Sequence, residues 1–216
     1  VLVMDIDGES GLDLLISEGE KGIALFLADD NGSFNPGPHY PWPCAGLVAG
    51  GPDLKGYVLA LTRPPRLLKW SGEDLITGQE LKYPGEPQSA VFLDYDSDGD
   101  SDLFVGGGSL PGRYPIASRS ALFENRSGTF VLLQSQLELF SHLSLVTDAA
   151  SGDMDGDGAE DLVVAQEWGS IRVFLNRDGV FEDSTKVMGL NQYNGLWQCA
   201  HLADVNGDGR KDIVAG

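Results

Sequence analysis

Apolar residues fall in short runs along this chain: "DLLIS" from 13, "YVLAL" from 57, "DLFVG" from 102, "IRVFL" from 171 and "DIVAG" from 212. Gly, Asn, Asp and Pro bound them. No stretch keeps apolar residues at i, i+3, i+4 and i+7 for three turns, so long amphipathic helices are not expected. Short runs between turn residues predict an all-β protein with many short strands. No run approaches the roughly 18 apolar residues of a membrane-crossing helix.

The runs recur with a period. "DIDGESGLD" starts at Asp5, "DYDSDGDSD" at Asp94, "DMDGDGAED" at Asp153 and "DVNGDGRKD" at Asp204. Each nonapeptide has Asp at position 1, Asp or Asn at 3, Asp or Glu at 5 and Asp at 9, and an apolar strand follows. Alanine precedes the last three by four residues, at Ala90, Ala149 and Ala200. Halfway between the first two lies "AGGPDLKGY", residues 49–57, which keeps only Asp53 at position 5 and reads as a degenerate repeat. Later in each unit come "ALFLADDNGSF", "RLLKWSGEDL", "ALFENRSGTF" and "VFLNRDGVF", each a strand, a Gly-containing turn and the start of another strand. One unit is therefore strand a, acidic loop, strand b, connection, strand c, tight turn, strand d. Four antiparallel strands in about 45 residues is the arithmetic of a propeller blade. The rival β-sandwich requires no four-strand period.

Carboxylates at alternate positions of a tight loop can converge on one hard cation, with a carbonyl at position 7 and a two-oxygen carboxylate at 9. Calcium takes about six to eight oxygens, magnesium a stricter octahedron, and zinc would want His or Cys, which these loops lack. An EF-hand needs Glu at position 12 and then a helix. Position 12 here is Ile16, Val105, Val164 or Ala215, inside apolar strands. The competing reading of one nonapeptide is an Asp/Gly turn without metal. Four in register, each with a second Asp at position 9, favour calcium. Glu9 and Ser10 make the first loop the weakest.

Composition narrows the partners. The net charge is −19, which opposes nucleic-acid phosphates and anionic membranes; four calcium ions would bring it to −11. Hydrophobic residues at 42% argue against wholesale disorder. The chain begins and ends inside apolar runs and reads as a fragment, so the missing signal peptide says nothing about targeting. Cys44 and Cys199 are too few for a disulfide framework and too isolated for zinc. They precede position 1 of repeats two and five by five residues, which predicts unpaired, buried thiols. His39, His142 and His201 are scattered, with His201 expected to pack in a strand a. "NGS" at Asn31 and "NRS" at Asn125 match glycosylation acceptors, and "GGG" at 106–108 leads into a long loop, not a dinucleotide-binding helix.

The acidic repeats, with residues 102–130 ("DLFVGGGSLPGRYPIASRSALFENRSGTF") and 179–216 ("GVFEDSTKVMGLNQYNGLWQCAHLADVNGDGRKDIVAG"), resemble the FG-GAP/VCBS repeat family of integrin α-type calcium-binding β-propellers. The nearer likeness is to the bacterial ASPIC/UnbV, cartilage-acidic-protein-like branch. This resemblance implies a secreted, periplasmic or surface protein whose propeller usually has seven blades. Residues 1–216 would supply four to five of them as a single propeller fragment. It also implies up to four calcium ions: on Asp5, Asp7, Glu9 and Asp13; on Asp94, Asp96, Asp98 and Asp102; on Asp153, Asp155, Asp157 and Asp161; and on Asp204, Asn206, Asp208 and Asp212. Gly11, Asp100, Ala159 and Arg210 would add carbonyls, and the 49–57 loop is expected to hold no ion.

Strand alternation places the acidic loops and c–d turns on one face and the b–c loops and d–a connectors on the other. The second face receives Tyr40, Trp42, Arg63, Arg66, Arg113, Tyr114, Trp168, Tyr193 and Trp197. Aromatics beside arginines suit protein or glycan recognition, while each alone reads more readily as packing under a loop. The sequence thus predicts a non-enzymatic calcium-binding module that binds a protein or glycan. The alternative is the propeller of a calcium-containing polysaccharide lyase or hydrolase. That reading needs a general base in a carbohydrate groove, for which the sequence shows candidates in Tyr114 and Arg113 but no assembled site.

Overall fold

The computed structural model describes residues 1–9 and 11–216; Ser10, singled out above, lies outside the described residues. The described residues are all-β apart from three short 3-10 turns. It divides into two compact units, Val1–Lys82 and Tyr83–Gly216, where the sequence reading takes one continuous array.

The first unit holds two four-stranded antiparallel meanders. One is β1 (Leu2–Met4), β2 (Asp13–Ser17), β3 (Ile23–Ala28) and β4 (Phe34–Tyr40); the other is β5 (Leu47–Ala49), β6 (Tyr57–Ala60), β7 (Arg66–Trp70) and β8 (Leu75–Glu80). Their core combines Leu15, Ile23 and Leu25 with Val58, Ala60 and Leu68, all at most 1% exposed. Alternation along β2, buried at Asp13 and Leu15 and half-buried between, is what a sheet with one packed face requires.

The second unit opens with β9 (Pro87–Leu93), β10 (Asp102–Gly107), β11 (Ala121–Arg126) and β12 (Thr129–Leu132). Next come β13 (Leu145–Gly152), β14 (Asp161–Ser170), β15 (Arg172–Asn176) and β16 (Phe181–Asp183), then β17 (Asn194–Leu196) and the pair β18 (Ala200–Ala203) and β19 (Asp212–Ala215). The strand β17 pairs with the far half of β14, so the "NQYNGLW" connector is partly a strand. Phe140, from the 3-10 turn Leu139–His142, is 1% exposed and meets Phe104 and Phe174 edge-on, both at 5.2 Å. The "GGG" stretch is a packing device. A Cβ on Gly106 would lie 2.4 Å from Val146, and one on Gly107 2.5 Å from the Ser118 carbonyl.

Every expected repeat start therefore opens a new antiparallel sheet. In each sheet this loop joins the first and second strands, and in the four sheets with at least four strands it shares an end of the sheet with the turn between the third and fourth.

Candidate metal centres and an aromatic surface

In three loops the sequence brings three carboxylates together: Asp5, Asp7 and Asp13; Asp94, Asp96 and Asp102; Asp153, Asp155 and Asp161. In each set one oxygen per residue lies within 4.8 Å of the others. These are positions 1, 3 and 9. Position 5, expected to join them, is outside the sets. Its carboxylate turns back on the loop: Asp98 Oδ1 accepts the Asp100 N–H at 2.8 Å, and Asp157 Oδ1 the Ala159 N–H at 2.9 Å.

The loop backbone dictates this shape. Position 4 of all four acidic loops and position 6 of the last three have positive φ, as at Gly156 (85°) and Gly158 (92°), which brings successive N–H groups inward. Position 1 caps them: Asp153 accepts from Gly156 and Gly158 at 2.7 and 3.0 Å. Position 4 of the second acidic loop is Ser97, held at φ 61° where its counterparts are glycine.

Position 9 has a role the sequence reading missed. Asp13, Asp102 and Asp161 are at most 1% exposed. One oxygen of each accepts the N–H of position 2, from Ile6, Tyr95 and Met154 at 2.9, 3.0 and 2.8 Å. The other accepts from the third strand, from Ala28, Asn125 and Asn176 at 2.8, 2.7 and 2.8 Å. A second Asp at position 9 is therefore explained by the fold before any ion is invoked. Each oxygen keeps a further lone pair for one.

Asn125 and Asn176 extend the staple. Asn176 donates to the Tyr95 and Glu160 carbonyls at 2.7 and 3.1 Å and accepts from Gly179 at 2.9 Å. Asn125 is 4% exposed and bonded alike, to Ser101 and Gly128, so its glycosylation match is a structural asparagine. The shared "NR-x-G" in residues 125–128 and 176–179 was the available signal.

Electrostatics separate the loops. Burial pushes the Asp102 carboxyl up to about 7, with Asp96 and Asp98 adding to it. Asp96 and Asp161 are also raised, again mainly by burial. In the third acidic loop Arg177 bridges Asp155 and Asp157, both at 2.6 Å, and holds Asp155 below its usual range. The corresponding Arg126 is drawn instead to Glu124, at 2.7 Å. Leu175 stands where Glu124 does, one strand position earlier, and leaves Arg177 free to reach the loop. The loop at Asp94 thus carries less compensated negative charge than the loop at Asp153. The Asp204 loop is exposed, and Asn206 replaces a carboxylate. Asp204 is held low by N–H groups, chiefly Gly209; Asp212 still accepts from Val205 at 3.1 Å. All donors in the three sets are carboxylate oxygens, the type a hard divalent cation takes. Among the described residues the 49–57 loop forms no such set.

The expected partner-binding residues do not form one class. Tyr40 is a correction: it is 6% exposed, stacks on Trp42 at 5.1 Å and receives the Leu75 N–H at 3.0 Å. Trp42 is half-buried, with the Arg66 guanidinium 5.1 Å above its ring. Arg66 pairs with Glu80 at 2.9 Å, and Arg63 and Arg113 are exposed. Tyr193 is exposed, and its carbonyl receives Trp197 Nε1–H at 3.3 Å. Tyr114 and Trp168, 60% and 61% exposed, are joined by a Trp168 Nε1–H···Oη hydrogen bond of 3.0 Å. Two other expectations change. His201 is exposed because its strand has one packed face and His201 points off it. Of the two free thiols, Cys44 is buried and Cys199 exposed.

Five antiparallel sheets, four of them with at least four strands, each with a loop between its first two strands that is acidic in four of five, define a β-repeat protein. The FG-GAP-like repeat profile matches residues 94–164 and 153–215, more than half of the chain, and the chain belongs to that family. No curated protein sequence matches it significantly.

Proposed function

We propose that this chain is a calcium-stabilised, non-enzymatic β-propeller module of an extracytoplasmic protein, its sheets serving as blades and its loops as a binding surface. The ASPIC/UnbV-like branch is part of this reading. The observation that carries it is the recurrence, in register, of three carboxylate sets at positions 1, 3 and 9. Three like charges within 4.8 Å of one another are costly in a partly buried setting, and a divalent cation would neutralise them. Asp5, Asp7 and Asp13 and Asp94, Asp96 and Asp102 make the stronger sites on this view, since no arginine pairs with them among the described residues. Asp153, Asp155 and Asp161 make a weaker one, where Arg177 competes. The Asp204 loop, with Asp208 and Asp212, is a fourth and the weakest site, in place of the Asp5 loop that the sequence ranks last, because its carboxylates form no such set among the described residues.

Extracellular calcium modules bind at about 10⁻⁴ to 10⁻³ M, which suits a compartment with millimolar calcium. An ion that binds only the folded state stabilises it by about 2.7 kcal/mol per site at 100 times Kd. Thermal unfolding in EGTA and in millimolar calcium tests the proposal: a rise in Tm is expected. An unchanged Tm refutes the metal reading.

A further inference from the structure

The loops away from the acidic ends carry a small site that no motif announces. Tyr114 lies in the connection from β10 to β11, which is itself ordered: Leu110 N–H donates to Ile116 at 2.9 Å and Ser118 N–H to Gly108 at 2.8 Å. The Tyr114 hydroxyl donates to Glu167 Oε2 at 2.9 Å and accepts from Trp168 Nε1 at 3.0 Å. This Trp–Tyr–Glu chain occupies the polar edges of both rings and leaves the rings more than half exposed. Exposed aromatics normally turn freely; these two are tethered at their polar atoms.

The backbone is committed to the same end. Trp168 sits at φ 60°, a region that bulky residues avoid. The pairing of β14 with β17 breaks register between Glu167 and Gly169, so Trp168 stands on a bulge. Strain of this kind concentrates where a side chain must be presented in one orientation.

Tyr114 and Glu167 also line a cavity of about 240 Å³, together with Gln88, Ser109, Thr147 and Gln198. That is below the range of about 300 to 1,000 Å³ typical of drug-sized ligands, and suits a single small ring. The lining offers amide donors and acceptors, hydroxyls and one carboxylate. Glu167 is the only charged side chain among the described residues lining it.

We infer that this is a binding site for a neutral oligosaccharide, with one sugar ring in the cavity and a neighbouring ring stacked on the Tyr114–Trp168 pair. A pyranose has an apolar C–H face, which removes aromatic surface from water, and a rim of hydroxyls, which need both donors and acceptors. The site presents both. An acidic sugar would meet Glu167 and a chain of net charge −19 with no cation in the cavity lining. The inference deepens the binding-surface part of the proposed function and rests on it, but not on the calcium sites.

The test is a titration of the calcium-loaded chain with cello-, manno-, xylo-, galacto- and chito-oligosaccharides, with oligogalacturonate as the acidic comparison. Ligand-observed NMR and tryptophan fluorescence report binding. Saturable binding of at least one neutral series is expected, weakened at least about tenfold by Tyr114→Ala and by Trp168→Gly. Trp168→Gly relieves the positive-φ strain, so its Tm should hold or rise while binding is lost. A residue present only for packing would give the reverse. Tyr114→Phe keeps the ring and removes the bridging hydroxyl, and should fall between wild type and alanine. No binding across the neutral series, tighter binding of the acidic oligomer, or variants that bind like wild type each overturn the inference. So does a protein partner that needs Trp168 while no sugar binds. If the calcium-dependent Tm shift persists in any of these cases, the metal reading stands and only the sugar site falls.

Discussion

Removing the Asp161 side chain separates what the fold asks of position 9 from what a metal would ask of it. Asp161 is fully buried, and its two oxygens accept the Met154 and Asn176 N–H groups, each at 2.8 Å. In Asp161→Ala both donors lose their partner in a place water reaches poorly. A buried donor left unsatisfied costs about 1–3 kcal/mol, so the pair costs about 2–6 kcal/mol. Relief of repulsion from Asp155 and Asp157 offsets part of this, placing the expected loss at the lower end, about 2–4 kcal/mol. At about 2–4 °C per kcal/mol for a chain of this size, Tm should fall by about 4–16 °C in EGTA, where no ion contributes. Asp100→Ala is the comparison. Asp100 occupies position 7, where the next acidic loop already has Ala159, and the bond that Asp100 makes through its backbone N–H to Asp98 survives the change. It should move Tm in EGTA by no more than about 1–2 °C, the range of an ordinary surface substitution. In millimolar calcium the gap should widen, because Asp161→Ala also loses a ligand. Equal Tm values for the two variants in EGTA would refute the assignment of position 9 as a backbone staple.

Three further outcomes follow from the loop and its surroundings. Gly158→Ala should cost about 1–2 kcal/mol in calcium and EGTA alike, since φ is 92° and nothing lies within 4 Å of the new Cβ, leaving backbone strain as the only cost; denaturant titration measures it. Cys199, exposed, should label with a thiol reagent much faster than Cys44, which is buried and whose thiol is pushed up by burial; mass spectrometry over a labelling time course reads both, and equal rates would contradict the placement. Asp102 titrates near 7 in the fold, against about 4 in the unfolded chain, so the metal-free fold keeps a proton that the unfolded chain releases. Metal-free stability should therefore fall as pH rises from about 4 to 7 and level off above, and Asp102→Asn should flatten that slope in thermal melts of metal-stripped protein.

The repeat period, the strand order and the placement of the acidic loops were legible because each rests on local chemistry. Short apolar runs make strands, and Asp with Gly at fixed offsets makes one kind of loop. What was not legible depends on neighbours distant in the chain. Both oxygens of Asp161 are claimed by backbone groups 7 and 15 residues away. Arg126 and Arg177 occupy equivalent "NR-x-G" turns, yet one is drawn to Glu124 and the other to the loop, a choice set by whether residue 124 or 175 is charged. Tyr40 looked like a surface aromatic in "HYPWP". It is buried because its hydroxyl caps the turn at Asp74 and Leu75. Trp168 and Tyr114 were visible as aromatics, but their partner Glu167 was one acid among 33 Asp and Glu residues.

The chain also contains its own control for the acidic loops. The 49–57 loop has none of the acids at positions 1, 3 and 9, and yet β5 and β6 pair in register across it. Backbone bonds close it: Gly50 donates to Tyr57 at 2.9 Å, and Leu54 to Gly51 at 2.9 Å. Leu54, 8% exposed, supplies the apolar plug that position 2 supplies elsewhere through Ile6, Tyr95 and Met154. A hairpin between the first two strands therefore needs neither an ion nor a carboxylate. Position 9 alone does not argue for metal either, since its aspartate satisfies buried N–H groups. What the fold leaves unexplained is the pair of carboxylates at positions 1 and 3 held beside it. Position 1 caps N–H groups as serine or asparagine could, without a full charge. Position 3 accepts only a long bond of 3.3 Å from the loop backbone in Asp96 and Asp155, although Asp155 also pairs with Arg177. Charge at those two positions, repeated in three loops, is the part of the pattern that a turn does not require, and it is what the proposed cation would neutralise.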